Sequence, residues 1–250
     1  MLVGSADVNA LAARAPALDA YPAEPLVLGD VTLLQMVLEM RNGAREAVLP
    51  PSLHPTIPPT LSIQVWDVAD SPWGGFRAAV ARVSCRAGVR ARGFTTAAWA
   101  SDEAAAAGLA NTYGYPCRSG EVTFQHGYAG AEVSVSSGTG GTVLAAHAIG
   151  PEPLGGDDVQ YTGTLNLAHT PVGLRLLQVE FGVAARTSER LRARLDGFEA
   201  AAWGDGRLDP YYVVTASLAR AEVTFAPIRF VLRPDELAFT GTEPVAADGA

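Results

Sequence analysis

No lysine occurs in the 250 residues; all eighteen basic side chains are arginine. The absence removes imine chemistry from every side chain, because a guanidinium stays protonated and is a poor nucleophile. Only the α-amino group of Met1 is left as a primary amine. Codon bias in Ala-, Gly- and Arg-rich chains accounts for such an absence by composition alone. Its meaning therefore depends on whether some position needs an amine. Cysteine is scarce as well, and Cys85 and Cys117 give neither a disulfide framework nor a metal pattern. The four histidines, His54, His126, His147 and His169, form no His-x-His or His-x-x-x-His pair, so no metal is expected. Gly138-Thr139-Gly140-Gly141 lacks the Lys-Ser/Thr of a phosphate loop and reads as a hairpin turn; no cofactor is expected.

Long apolar runs are missing too, none reaching the roughly 18 residues of a membrane span. The first twenty residues include Asp7, Arg14 and Asp19 and lack the regions of a signal peptide, so the expectation is a soluble, cytoplasmic protein with no membrane partner. A net charge of −8 argues against nucleic acid. The densest basic cluster, Arg186, Arg190, Arg192 and Arg194, reads as the solvated face of a short helix over Thr187 to Leu195.

What is present is strand pattern. Leu61-Ser62-Ile63-Gln64-Val65-Trp66 alternates at a period of two. Similar segments run over Val31 to Met40, Phe76 to Cys85, Val89 to Trp99, Glu121 to Gln125, Glu132 to Val135, Thr142 to Ile149, Gln160 to Ala168, Leu174 to Ala185, Tyr211 to Leu218 and Glu222 to Leu232. Turn signals separate several of them, among them Arg41-Asn42-Gly43, Ser137 to Gly141 and Gly155-Gly156-Asp157-Asp158. Leu49 to Pro59 carries five prolines and reads as an extended, rigid connection. Ala6 to Ala15 has room for one or two helical turns. Ser101 to Ala107, with a Ser cap, acids in the first turn and an alanine run, predicts a helix. About ten strands with few helices predict a mainly β (α+β) domain: a barrel, a sandwich or a strongly curved sheet.

After the alanine helix comes Asn111-Thr112-Tyr113-Gly114-Tyr115-Pro116-Cys117-Arg118. Gly114 permits a kink, Pro116 opens a strand, and alternation sends Cys117 and Arg118 to opposite faces. This segment resembles the acetoacetate decarboxylase superfamily, whose Gly-Tyr/Phe-Pro-Lys-Lys motif supplies a Schiff-base lysine and a second lysine that lowers its pKa. Val48 to Pro55 is similar to the family's Leu-Pro-x-x-Leu-x-Pro segment. Gly74-Gly75-Phe76-Arg77-Ala78 resembles its Gly-x-Tyr-x-Glu strand start, and Leu208 to Val214 its Asp-Pro lead into the last strands. The likeness covers roughly residues 30 to 232 of one expected domain, 1 to 250. It implies an antiparallel cone-shaped β-barrel with a few short helices, enclosing an apolar pocket and assembling as a homo-oligomer.

The departures fall on the chemistry. Cys117 and Arg118 stand at the lysine pair, Ala78 at an active-site glutamate, and Leu109-Ala110-Asn111 at Gly-Arg-Glu. Acetoacetate decarboxylation by the family's mechanism is excluded. The candidate catalytic residues are Arg118, Tyr113, Tyr115 and Cys117. Arg118 reads as a carboxylate or enolate ligand or as a surface cation, Cys117 as a nucleophile or a small buried hydrophobe, and the tyrosines as hydroxyl donors or packing. Trp66, Phe76, Ala78, Glu121 and His54 are candidate substrate-binding residues; core packing accounts for the aromatics equally well. The expected function is a lyase or cyclase acting noncovalently on a carbonyl-bearing or polyketide-like small molecule in secondary metabolism. The alternative is a catalytically inactive small-molecule-binding protein of the same fold.

Overall fold

The structure is a computed structural model that describes residues 2–138, 140–155 and 158–245. Thr139, Gly156 and Asp157, parts of two expected Gly-rich corners, lie outside the described residues. Helix α1 (Val8–Ala12) is capped by Asp7, whose carboxylate accepts from the Asn9 amide at 2.9 Å. The chain then runs through β1 (Leu26–Met40), α2 (Asn42–Arg45), β2 (His54–Pro55), β3 (Thr60–Asp70), β4 (Phe76–Ala87) and β5 (Arg90–Ala100). Helix α3 (Glu103–Tyr113) leads to β6 (Cys117–Ser119), β7 (Glu121–Gly127), β8 (Gly130–Ser136) and β9 (Thr142–Leu154). There follow β10 (Thr164–Thr170), β11 (Gly173–Val179), β12 (Phe181–Phe198) and β13 (Pro210–Phe225). The last elements are β14 (Phe230–Leu232), α4 (Ala238–Gly241) and β15 (Thr242–Pro244).

These fifteen strands make one sheet in the order β15-β14-β11-β10-β5-β4-β3-β1-β13-β12-β9-β8-β7, with β2 on β4 and β6 on β5. The protein is mainly β, as the alternation predicts. The sheet is mixed rather than purely antiparallel: β10 and β6 both pair in parallel with β5. For β6 the cause is the α3 crossover, which returns the chain in the direction β5 already had. Among the described residues no ladder joins β7 to β15, so the expected closed cone is found as an open, curled sheet that brings β7 against β3, β4 and β5.

The expected helix over Thr187 to Leu195 is instead the middle of β12. Leu191, Ala193 and Leu195 alternate with exposed Arg190, Arg192 and Arg194, a period of two that its charge-rich composition disguises. Ladders to β9 and β13 on either side satisfy its backbone, which a lone surface helix would have to do for itself. The arginine cluster is thus the solvated face of a strand. Arg41-Asn42-Gly43, expected as a turn, leads into α2. The α3 cap is Asp102 rather than Ser101, its carboxylate accepting from Ala105 N at 3.0 Å, and the helix runs on to Tyr113.

Alternation feeds two apolar cores. One takes Leu34, Met36, Ile63, Val65, Val133 and Leu144. The other takes Leu33, Trp66, Ala78, Val80, Phe225 and the buried face of α3. Each fully buried aliphatic or aromatic side chain contributes roughly 1.5–3 kcal/mol. On β3 the side chains of Ser62 and Gln64 share the face of Trp66 and Val68, so the second core also receives polar groups.

Candidate functional site

The end of α3 builds one wall of that second core. Gly114 adopts φ 68°, and its amide donates to Ala110 O while the Tyr115 amide donates to Leu109 O. A Cβ at Gly114 would sit 2.8 Å from Leu177 Cδ1, so the left-handed turn needs glycine on two counts. The turn places Tyr113 and Tyr115 on the same buried side. Their ring centroids lie 4.9 and 6.5 Å from that of Phe225, and Trp66 stands edge-on at 6.2 Å from Tyr115. Of the sequence candidates, Tyr113, Tyr115, Trp66, Phe76 and Ala78 meet in this core, and the half-buried Cys117 packs against it.

Beside the aromatics lies a row of buried polar side chains that sequence reasoning did not single out. Gln35 and Gln64 are cross-strand partners on β1 and β3, and Gln64 Nε2 donates to Gln35 Oε1 at 2.7 Å. Ser62 and Arg82 are the next such pair along the same face, on β3 and β4. Arg82 is 1% exposed. Its Nη2 donates to Ser62 Oγ at 3.4 Å and its Nη1 to the Thr162 carbonyl at 3.1 Å. The guanidinium lies 5.8 Å from the Phe181 ring, which in turn lies 5.7 Å from Phe225. No carboxylate forms an ion pair with it among the described residues. A buried cation without an anion is expensive, since desolvation opposes its charge and nothing repays it. Burial accordingly pulls the Arg82 pKa down to about 10, with Tyr115 opposing, so it stays charged at neutral pH.

Among the polar atoms around it, Arg82 Nε and the Tyr113 hydroxyl have no hydrogen-bond partner, while the Tyr115 hydroxyl interacts with the Thr164 and Asn166 side chains. A buried orphan marks a place that a ligand or water can complete. Burial, then the neighbouring Tyr115, pushes the Tyr113 phenol up to about 12. Burial also raises Tyr115, against the pull of Thr164, Arg82 and Asn166. Both phenols are therefore neutral donors at pH 7. Arg82 lies within electrostatic reach of Tyr115, and Tyr115 of Tyr113, all in the buried interior.

The remaining sequence candidates lie apart from this row. Arg118 is exposed, its guanidinium 5.7 Å over the Trp99 ring on the other face of the sheet. Glu121 is exposed at the start of β7. His54 is buried on β2, with Nδ1 2.9 Å from the Leu2 carbonyl. Burial pushes the Cys117 thiol up to about 12, the opposite of the depression a nucleophile needs. His126 approaches Asp67 at 3.5 Å, His147 pairs with Asp196 at 2.6 Å, and His169 reaches the Ala12 carbonyl at 3.0 Å. No group of three ligating side chains is poised for a metal among the described residues. Arg82 was legible in one respect: in Ala78-Ala79-Val80-Ala81-Arg82 it falls on the inward phase of a strand.

No family model matches the chain, and no curated protein does. Solved structures do. The acetoacetate decarboxylase of Legionella pneumophila superposes with a TM-score of 0.70 at 17% identity, covering 86% of this chain and 90% of its own. The enduracididine biosynthesis enzyme MppR, solved with the condensation product of pyruvate and imidazole 4-carboxaldehyde, gives 0.66 at 16% identity over 82% and 88%. An acetoacetate decarboxylase-like enzyme from Sphingomonas wittichii RW1 gives 0.64 at 14% identity over 84% and 93%. The fold is therefore of the acetoacetate decarboxylase type.

Proposed function

We propose that the chain is a noncovalent lyase or cyclase that acts on a carbonyl-bearing, polyketide-like small molecule held in the second core. The observation that carries this reading is Arg82: a buried cation with no anionic partner among the described residues, beside the buried hydroxyls of Tyr113 and Tyr115. With no lysine in the sequence, a side-chain iminium is not available as an electron sink. An oxygen bearing developing negative charge is what these donors suit.

Ring closure by conjugate addition uses them directly. A substrate hydroxyl attacks its own conjugated enone, and its electron pair becomes the new ring bond. The alkene π pair becomes a π bond between the α-carbon and the carbonyl carbon, and the carbonyl π pair moves onto oxygen, where Arg82 and Tyr115 stabilise the charge. The proton released by the hydroxyl returns to the α-carbon as the carbonyl reforms, so nothing leaves and nothing is oxidised. Trp66, Tyr113 and Phe225 hold the folded conformer that brings the reacting atoms together. MppR, of the same fold, is solved with a condensation product of pyruvate and imidazole 4-carboxaldehyde bound. The alternative, a binding protein without turnover, is favoured by Ala78, which brings no acid or base to this core. Homo-oligomeric assembly and a place in secondary metabolism belong to the same proposal. No described helix is long and apolar enough to cross a membrane.

The test is turnover of a linear hydroxy-enone, 8-hydroxyoct-3-en-2-one, to its tetrahydropyran. The expected result is enzyme-dependent closure that Arg82→Met and Tyr115→Phe each slow, with no adduct trapped by borohydride. A trapped adduct on any internal residue, or closure indifferent to both substitutions, would overturn the reading. Saturable binding without turnover would select the alternative.

A further inference from the structure

Between β9 and β10 the chain crosses the polar row as an irregular strap, Gln160 to Gly163. Its outer side meets solvent at Gln160, while the carbonyls of Gln160 and Thr162 point at the row and that of Gly163 accepts from Gly93. Gln160 O accepts from Gln35 Nε2 at 3.2 Å, and Thr162 O accepts from Arg82 Nη1 at 3.1 Å. The spacing is in step with the sheet beneath. The two acceptors are two residues apart in the strap, and Gln64 and Ser62, the partners of Gln35 and Arg82, are two residues apart on β3. Gly163 makes the crossing possible, because a Cβ there would stand 2.6 Å from the Glu180 carboxylate and 2.9 Å from Val179 O.

The buried row thus ends in two outward donors of different character, a cation at Arg82 and a neutral amide at Gln35. The strap meets each with a main-chain carbonyl, and the Ser62 hydroxyl, also neutral, accepts from Arg82 at 3.4 Å. A neutral carbonyl suits the amide but leaves the charge of Arg82 uncompensated. Two residues of extended chain span roughly 6.6 Å. We infer that the site selects molecules bearing an anionic oxygen group and a neutral carbonyl some 6–7 Å apart, whose oxygens replace those of Thr162 and Gln160 as the strap lifts. The inference rests on the second core being the substrate site, and it deepens that reading by naming a substrate class. It excludes short β-keto acids, whose two oxygen groups are separated by a single carbon and cannot reach both donors. Tyr161, between the two acceptors, packs against the second core and ties the strap to it.

The experiment compares 6-oxoheptanoate, with four methylenes between carboxylate and ketone, against acetoacetate and heptanoate, by calorimetry on the full chain. Hydrogen exchange at Tyr161, Thr162 and Gly163 is followed in parallel. The expected result is binding of 6-oxoheptanoate at least ~10-fold tighter than either control, with faster exchange across the strap in the complex. Arg82→Gln abolishes that binding. Gln35→Met, a substitution of similar volume that keeps the fold testable, brings 6-oxoheptanoate down to the affinity of heptanoate. Equal affinities for the keto acids, no binding of either, or binding with unchanged or slowed strap exchange would overturn the inference. The function fails separately. Turnover of the hydroxy-enone with no preference between keto acids sinks the spacing alone, whereas selective binding of the long keto acid without any turnover sinks only the catalytic reading.

Discussion

Asn166 reaches from β10 to the end of α3, where its side-chain amide donates to the main-chain carbonyl of Tyr113 at 2.7 Å. Both partners are fully buried, so the bond fixes the turn that carries Tyr113 and Tyr115 into the core. Asn166→Ala strands that carbonyl without water. The expected cost is about 1–3 kcal/mol, read as a lower urea midpoint with an unchanged denaturant slope.

Replacing Arg82 separates stability from function. Its charge is buried with no anion paired to it among the described residues, so Arg82→Met removes a desolvation penalty and is expected to stabilise the fold by about 1–4 kcal/mol. The same substitution removes the main oxyanion donor, and turnover is expected to fall by about 10²–10³. Thermal melting and steady-state rates on one preparation check both signs. A variant that melts earlier and keeps its rate would contradict the role given to this side chain.

Alkali is expected to destabilise the protein. Burial holds the Cys85 and Cys117 thiols up at about 12 against ordinary values of 9.0, and the Tyr113 and Tyr161 phenols up at about 12 against 10.0. In the unfolded chain these groups lose their protons near pH 9 to 10, while the folded chain retains them. Their contribution is complete below pH 9 and is lost as pH rises toward 12. Arg82, lowered to about 10, pushes the other way above that pH, but it is one group against four. Urea titrations at pH 8 and pH 11 measure the slope, and Cys85→Val is expected to flatten it.

Cys117→Ala is expected to leave turnover intact. The thiol is protonated at neutral pH and makes only a weak contact, 3.9 Å from the Arg118 carbonyl. Neither cysteine should label with iodoacetamide in the folded protein at pH 8, since Cys85 is fully buried and both thiols are held protonated. Rapid labelling of Cys117, with loss of rate on its replacement, would restore a thiol mechanism.

The strands were legible wherever apolar and polar side chains alternate. β3 announces itself by period although both of its faces are buried, and the Gly114 turn by its flanking residues. The start of β12 falls in the expected strand Leu174 to Ala185, but its middle was not legible, because Ser188-Glu189-Arg190-Leu191-Arg192 has the composition of a helix. Tyr113, Tyr115 and Trp66 could be grouped from the motif and the strand phase. Arg82, Gln35 and Gln64 could not, since single polar residues on the inward phase acquire meaning only when ladders set them side by side. Strand register is a long-range property, and β1 and β13 find each other across most of the chain.

That last pairing governs how the protein comes to be made. β1 and β13 lie next to each other in the interior of the sheet order, yet residue 26 must wait for residue 225 before the ladder is complete. Until then β1 has a partner only on its β3 side, and β12 only on its β9 side. A nascent chain stopped short of residue 210 exposes two unpaired strand edges, the condition under which strands pair with neighbouring molecules. Folding is expected to be slow and largely post-synthetic, with high contact order setting the rate.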